Sequence, residues 1–192
     1  PMTTQEILRA AQGAKLPLAL ADADTKNAAL EAMAVALIAA QDKILDANKQ
    51  DVENARGRVS DVMLDRLALT PGRLTDMAKG MREVAALPDP VGAVLRKIVR
   101  PNGLLIEKTA VPMGDAAALA IKAGSACILR CGRDAWASCH AIVEALRAGL
   151  RRVRLPECAV SLIEDTSHAS ANELMTADGL VDLLIPRGGA GL

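Results

Sequence analysis

The chain has 192 residues, enough for one ordinary domain or for one large and one small lobe, and its 23 basic and 23 acidic side chains give a formal net charge of zero. Its 51% of apolar residues exclude an intrinsically disordered chain, and its neutrality leads us to expect neither nucleic acid nor a membrane as a partner. Because no apolar stretch is long enough to span a membrane and no basic segment precedes an apolar run at the start, we expect a cytoplasmic protein with reduced cysteines.

The chain begins with patterns typical of amphipathic helices. A capping box of Thr3 and Glu6 starts the first helix, which we expect Pro17 to bend or end. Asp24-Thr25 then predicts the start of a second, longer helix. The polar tail of that helix, residues 48–54, is expected to lie in solvent.

Two further helix starts follow before the first clear break in the chain. Ser60 is placed to cap a short helix, and Thr70-Pro71 combines a capping residue with proline at the first helical position. We therefore expect residues 1–90 to form an N-terminal helical region that covers another part of the fold.

The pattern changes after Pro88-Asp89-Pro90, where we place the start of a second region, residues 91–192. Residues 94–99 and 104–111 predict a hairpin around the turn at 101–103. Asp115 is then expected to cap a short helix that Gly124 closes.

Strands and helices alternate in the rest of the chain. The predicted elements are strand 126–130, helix 134–148 ended by Gly149, strand 159–163, helix 167–176 and strand 181–185. Alternation at this spacing indicates βαβ units and a parallel sheet, so the predicted fold class is α/β.

Two of the predicted strand ends carry residues suited to binding a phosphate. Arg130 and Arg133 surround a glycine turn, where their guanidinium groups either grip a nucleotide phosphate or simply solvate a loop. Gly188 and Gly189 belong to a glycine-rich loop whose backbone N–H groups are able to cradle a phosphate. Ligands of parallel sheets bind beyond the carboxyl ends of the strands, so these four residues are the candidate cofactor-binding residues.

Other residue clusters favour structural roles. Cys127, Cys131, Cys139 and His140 lack the paired C-x-x-C spacing of a zinc site, so we expect no metal. Cys139 and His140 are neighbours on a predicted helix and point in different directions, which makes them a poor nucleophile and base. A basic cluster lies between a predicted helix and the next strand, and we interpret it as a solvated connector rather than a nucleic-acid site. It consists of Arg147, Arg151, Arg152 and Arg154.

Three separated motifs occur in the chain: MLDRLALTP at 63–71, LPDPVG at 87–92 and LLIPRGGAGL at 183–192. They resemble, in the same order, motifs of gamma-glutamyl phosphate reductase, also called glutamate-5-semialdehyde dehydrogenase, of the aldehyde dehydrogenase superfamily. The likeness runs along nearly the whole chain and covers roughly the N-terminal half of the family's usual sequence. It implies a helical layer packed on a Rossmann-like parallel sheet of the aldehyde dehydrogenase type, here incomplete, with 1–90 and 91–192 forming one continuous lobe.

The resemblance also implies an activity. The family reduces L-glutamyl-5-phosphate to L-glutamate-5-semialdehyde with NADPH in proline biosynthesis, and a homo-oligomer is expected. Its chemistry uses a cysteine thiolate to displace phosphate, giving a thioester that accepts hydride. That cysteine belongs to the second half of the family's sequence, and none of the four cysteines here lies at its motif. We therefore assign no catalytic residue and expect this chain alone to be inactive.

The chain departs from the family at two places. A strand and an Arg-Pro-Asn stretch, whose Asn is expected to stabilise the oxyanion, are missing directly after Gly114; we expect the resulting gap in the sheet to be filled by residues 104–111, by another chain, or not at all. The family's Arg-Gly-Gly-Lys is Arg130-Cys131-Gly132-Arg133 here. Arginine at 133 keeps a charge for the NADP 2′-phosphate, whereas cysteine at 131 adds a side chain to a tight turn.

Two other functions remain compatible with the sequence. A catalytically inactive relative would have a structural or oligomerising role, and a bare nucleotide-binding module would bind NADP without performing the reaction. Saturable binding of NADP would distinguish the nucleotide-binding module from the inactive structural relative.

Overall fold

The structure, a computed structural model, describes residues 2–91, 94–99, 105–109 and 117–185, with the two short middle segments described as backbone only. The helices are α1 (Thr4–Leu20), α2 (Ala23–Ala39), α3 (Gln41–Ala55), α4 (Asp61–Leu67), α5 (Pro71–Ala86), α6 (Ala117–Lys122), α7 (Trp136–Arg152) and α8 (His168–Met175). The strands are β1 (Val94–Val99), β2 (Leu105–Thr109), β3 (Cys127–Leu129) and β4 (Val160–Leu162). Short 3-10 turns at Arg133–Ala135 and Glu157–Ala159 precede α7 and β4.

The first helix forms its predicted capping box but does not end at Pro17. Thr3 accepts a hydrogen bond from the backbone of Glu6, whose carboxylate accepts one from the backbone of Thr3. The helix continues to Leu20, because Leu18 in the last turn is completely buried in the core and holds that turn in place.

The predicted second helix is two helices. Asp22, rather than Asp24-Thr25, caps α2 by accepting a hydrogen bond from the backbone N–H of Thr25 at 2.8 Å. Ala40 leaves helical geometry, with φ −92° and ψ 7°, and the chain bends there into α3. The expected starts at Ser60 and Thr70 are confirmed, since each side chain accepts a backbone hydrogen bond in the first turn of its helix.

Gly149 lies inside α7 and does not end it, contrary to the sequence-based prediction. A Cβ at this position would lie 2.5 Å from the backbone N and Cα of Met33, so the glycine permits α7 and α2 to pack backbone to backbone. The helix ends three residues later, where Val153 leaves helical geometry and Arg154 adopts a φ of 59°.

The strands form two separate pairs. β1 and β2 are an antiparallel hairpin, as predicted, and β3 pairs in parallel with β4 across the α7 connection, which confirms the βαβ unit. Among the described residues β2 pairs with β1 and not with β3, which excludes the first of the three expected alternatives, that residues 104–111 fill a gap in the parallel sheet.

The predicted strand at 181–185 is absent from the described structure. The segment is tied to α1 through Lys15, whose ammonium contacts the Asp182 carboxylate at 2.7 Å, and the apolar side chains of Leu183, Leu184 and Ile185 are exposed. An apolar run favours a strand only where a neighbouring strand completes its hydrogen bonds, and none of the described strands lies beside it. The turn at 101–103 and the Asp115 cap lie outside the described residues.

The core confirms an α/β fold with a helical layer on an incomplete sheet. Its main cluster joins the layer to the parallel pair and includes Leu30, Leu37, Leu74, Leu146, Leu150 and Val160. A smaller cluster packs α1 against the end of β4 and α8. Among the described helices, none has the length and apolar character needed to cross a bilayer.

Candidate functional site

The carboxyl ends of β3 and β4 lie at the same edge, because the two strands are parallel. Arg130 follows β3 and reaches across to the loop after β4. Its Nε donates to Ser170 Oγ at 3.0 Å, and its Nη2 donates to the carbonyl oxygens of Thr166 at 3.1 Å and Ser167 at 2.8 Å. Arg130 therefore ties together the two loops at the edge where a parallel sheet binds its ligand.

The loop after β4 is also held by its own hydrogen bonds. Asp165 accepts from the backbone N–H of Ser167 at 2.8 Å and from its hydroxyl at 2.7 Å, and Ser170 Oγ donates to the Asp165 carbonyl at 2.6 Å. The Ser167 hydrogen bonds lower the pKa of the Asp165 carboxyl below its ordinary value. The carbonyl oxygens that receive Arg130 are thus fixed by the loop itself.

Arg133 contacts a different part of the fold. It is exposed in the 3-10 turn before α7 and lines a cavity of about 340 Å³ together with Asp51, Asn54, Arg58 and Asp134. Arg58 is paired with Asp134 across this cavity, with 3.0 Å between Nη2 and Oδ1. The structure therefore places Arg130 against the loop after β4 and Arg133 at the cavity beside α3, rather than on a common partner.

The start of α7 is capped by a carboxylate from α3. Asp51 accepts hydrogen bonds from the backbone N–H of Ala137 at 3.3 Å and of Ser138 at 2.7 Å, and from the Ser138 hydroxyl at 2.5 Å. Since α7 has no capping side chain of its own, α3 fixes the position where the Arg133 turn becomes a helix.

Asn48 and Asp51 lie in the segment that we expected to be solvated, and both are buried. Sequence reasoning missed them because it treated residues 48–54 as a polar tail. The detectable signal is spacing: with Ile44 and Ala55 they form the buried stripe of α3, at intervals of four, three and four residues. Polar residues on such a stripe indicate a buried hydrogen-bond network.

The cysteines do not form a single group. Cys131, in the turn after β3, and Cys139, in α7, are both half-buried and pack against the main core cluster. His140 turns away from Cys139 and stacks on Trp136, with ring centroids 4.9 Å apart. Burial raises the pKa of Cys127 on β3 to about 11.

Two buried lysines hold the end of the helical layer. The ammonium of Lys26 is fully buried and contacts both carboxylate oxygens of Asp89, at 2.8 and 2.6 Å, while the Val91 N–H donates to Asp89 at 2.9 Å. Burial acts to raise the pKa of Asp89, but the hydrogen bonds from Lys26 and Val91 outweigh it and lower the pKa. Lys122 donates to Asn27 at 2.5 Å and to a backbone carbonyl of α5 at 2.8 Å.

Comparison with known proteins gives a consistent result, although no protein-family model matches the chain. It is 47% identical over its whole length to the gamma-glutamyl phosphate reductase of Streptococcus pneumoniae (strain Hungary19A-6), and 50% identical over 98% of its length to that of Neisseria gonorrhoeae (strain ATCC 700825 / FA 1090). The crystal structure of gamma-glutamyl phosphate reductase from Thermotoga maritima matches all of the chain with a TM-score of 0.96 at 36% identity. The Saccharomyces cerevisiae enzyme matches 98% of it with a TM-score of 0.87 at 26% identity.

The chain is similar to gamma-glutamyl phosphate reductases and spans about half the length of those that it matches. It spans 49% and 48% of the two curated relatives and 50% and 52% of the two solved chains. This coverage is consistent with the N-terminal half that the motifs indicated.

Two of the three motifs identified in the sequence have structural roles in this chain. In the motif at 63–71, the Leu67 carbonyl accepts a hydrogen bond from Asn48 at 2.9 Å, and the Leu69 N–H donates to Asn48 at 2.7 Å. In the motif at 87–92, Asp89 receives the buried ammonium of Lys26. Most of the third motif, including Gly188 and Gly189, lies outside the described residues.

Proposed function

We propose that this chain supplies the cofactor-binding part of a gamma-glutamyl phosphate reductase, an enzyme that reduces L-glutamyl-5-phosphate to L-glutamate-5-semialdehyde with NADPH. The observation that carries the proposal is the match of the whole chain to the Thermotoga maritima reductase, with a TM-score of 0.96. Identities of 47% and 50% to bacterial reductases support it.

Arg133 is the residue that we assign to the 2′-phosphate of NADP. It is exposed, it follows the carboxyl end of β3, and it lines an open cavity, so its guanidinium fits a role in binding a phosphate. The neighbouring Arg58 is held by its ion pair with Asp134, and the Asp51 carboxylate is occupied by the start of α7. These pairings leave Arg133 as the best candidate in this cavity for an incoming phosphate.

Arg130 has a different part in the proposed site. It donates hydrogen bonds to Thr166, Ser167 and Ser170 in the loop after β4. We therefore propose that Arg130 positions this loop at the edge of the sheet and does not itself bind the cofactor. Gly188 and Gly189 remain candidates for cradling a phosphate on the strength of the sequence alone.

When bound, NADPH supplies the hydride of the proposed reaction. The residues of this chain bind and orient the cofactor, and they do no more, because the resemblance places the cysteine nucleophile and the oxyanion donor outside the chain. We therefore propose that catalysis requires a polypeptide that provides both groups, and that the chain by itself is inactive.

Self-association is also part of the proposal. Leu183, Leu184 and Ile185 are 51%, 44% and 41% exposed on consecutive positions, which is an apolar surface that a second copy is able to cover. Light scattering is expected to give a mass above the 20.0 kDa of one chain. A mass of one chain at all concentrations would contradict a homo-oligomer.

Calorimetric titration with NADP and with NAD tests the cofactor assignment. A charge-assisted contact contributes about 1.5–3 kcal/mol, so NADP is expected to bind at least tenfold more tightly than NAD, and Arg133→Ala is expected to remove that preference. Arg152→Ala is the matched control, because it removes an exposed arginine at the far end of α7. Equal affinities for the two cofactors, or no effect of Arg133→Ala, would refute the assignment, and no saturable binding would favour a purely structural role.

A further inference from the structure

The cavity that Arg133 lines contains a second arginine, Arg58, which lies in the turn after α3. The backbone N–H of Arg58 donates to the carbonyl oxygen of Ala55 at 3.0 Å, and its Nε donates to the carbonyl oxygen of Asn54 at 2.6 Å. Its Nη2 lies 3.0 Å from the Asp134 carboxylate, whereas its Nη1 donates to no residue in the described part of the chain. The Arg58 guanidinium is therefore held at the cavity and retains a donor for an incoming anion.

Asp134 holds Arg58 only weakly. The side chains of the pair are 48% and 40% exposed, and an ion pair with this exposure to water contributes little to stability. A phosphate carries more negative charge than a carboxylate, and its oxygens match the paired donors of a guanidinium. The other carboxylate in the cavity, Asp51, accepts hydrogen bonds from the N–H and the hydroxyl of Ser138. A phosphate that enters the cavity therefore competes for Arg58 with one weakly held carboxylate.

We propose that Arg58 is a second specificity-determining residue for the 2′-phosphate of NADP, which it binds by exchanging the Asp134 carboxylate for the phosphate. The inference rests on the proposed function, because it requires the 2′-phosphate to enter the cavity that Arg133 lines. It adds a residue of the helical layer to a cofactor site whose other candidates all follow strands in the sequence.

The exchange makes Asp134 an opponent of NADP and leaves NAD unaffected. NAD has a hydroxyl in place of the 2′-phosphate, so it offers Arg58 no ionic replacement for Asp134, and the ion pair remains closed. NADP must open the pair and place its phosphate near the released carboxylate. Asp134→Asn is therefore expected to raise the affinity for NADP by up to about fivefold, which corresponds to the strength of an exposed ion pair, without changing the affinity for NAD.

The test isolates Arg58 by comparing two variants that both lack the opposing carboxylate. Calorimetric titration of Asp134→Asn and of the double variant Arg58→Ala, Asp134→Asn uses adenosine 2′,5′-bisphosphate as the probe and AMP, which lacks the 2′-phosphate, as its match. The double variant is expected to bind the bisphosphate about tenfold more weakly than Asp134→Asn and to bind AMP equally well. Arg58→Lys in the Asp134→Asn background is expected to lie between the two, because lysine keeps the charge but not the paired donors.

Arg56→Ala is the matched control for the loss of an arginine near the end of α3. Arg56 makes an exposed ion pair with Glu53, 3.0 Å apart, and is not among the residues that line the cavity. This variant is expected to bind both probes as the wild type does. Thermal unfolding checks that every variant is folded, which we expect because both ion pairs are exposed.

The possible failures of the inference and of the proposed function are distinguishable. Equal affinity of Asp134→Asn and the double variant for the bisphosphate would overturn the role of Arg58, and a loss of NADP preference in Arg133→Ala would still support the proposed site. Weaker binding of NADP by Asp134→Asn than by the wild type would overturn the exchange. Equal affinity of the wild type for the bisphosphate and AMP would refute the proposed site, and the role of Arg58 with it.

Discussion

Asp51 of α3 accepts hydrogen bonds from both the backbone N–H and the hydroxyl of Ser138 in α7, at 2.7 and 2.5 Å. The two residues are 87 positions apart in the chain. The helical layer thus fixes the start of the helix that follows the Arg133 turn, so the geometry of the proposed cofactor edge depends on residues far from it in sequence.

Replacing the carboxylate tests this dependence. Asp51→Asn keeps the size of the side chain but removes one acceptor oxygen, so a donor at the start of α7 loses its partner; the expected loss of unfolding free energy is about 1–3 kcal/mol. Asp46→Asn is the control, because its carboxylate makes an exposed pair with Lys49 on the same helix. Urea unfolding measures the free energy of unfolding of both variants. Equal values for Asp51→Asn and Asp46→Asn would show that Asp51 does not hold α7.

The pair of Lys26 and Asp89 is expected to matter more than the exposed ion pairs. Asp89→Asn leaves a fully buried ammonium without its carboxylate, and breaking such a pair costs about 3–5 kcal/mol when both partners are buried; because Asp89 is 20% exposed, the lower end is expected. The control Asp182→Asn breaks a pair whose side chains are 48% and 75% exposed and is expected to change stability by less than about 1 kcal/mol.

The same pair predicts a pH dependence with a defined sign. The folded-state pKa of Asp89 lies below its ordinary value of 3.8. The contribution of this carboxylate to the free energy of unfolding is therefore fully present above pH 3.8, and it is lost as the pH falls through the lowered folded-state pKa. The difference in unfolding free energy between wild type and Asp89→Asn should therefore be constant near neutral pH and shrink in strong acid. A difference that grows on acidification would contradict the assignment.

Gly149 and Gly80 make a matched pair for the packing of α7 on α2. Gly149→Ala places a Cβ 2.5 Å from the Met33 backbone, and such overpacking is expected to cost about 1–3 kcal/mol. Gly80→Ala, inside α5 with no atom within 4 Å of the new Cβ, should instead stabilise the protein by about 0.5–1 kcal/mol through helix propensity. Thermal unfolding is expected to show a lower melting temperature for Gly149→Ala and a higher one for Gly80→Ala than for the wild type. A melting temperature of Gly149→Ala that is not lowered would contradict the close packing of α7 on α2.

Local signals in the sequence predicted the helix starts and the parallel βαβ unit. The caps at Thr3, Ser60 and Thr70 depend on residues three positions apart, which a sequence displays directly. Gly149 was misassigned because a glycine that ends a helix and one that admits a neighbouring backbone look alike until the neighbour is known.

Partners distant in the chain explain most of what the sequence did not reveal about the site. Arg130 was identified as a candidate, but its contacts with the loop after β4 join residues 36 to 40 positions apart. The burial of Asp51 depends in the same way on α7. Residue type and spacing therefore located the edge of the sheet, whereas the division of roles that we propose for Arg130 and Arg133 required the fold.

We propose that this chain carries a cofactor-binding edge without the nucleophile of the reaction. The most direct test is the reverse assay, phosphate-dependent oxidation of glutamate-5-semialdehyde linked to NADP, on purified protein of verified mass. We expect no turnover, because loss of the nucleophile removes the covalent route and costs many orders of magnitude in rate. The control replaces all four cysteines with serine: Cys127, Cys131, Cys139 and Cys158. Robust turnover by the wild type that disappears in this variant would contradict the claim, because a cysteine of this chain would then be acting as the nucleophile.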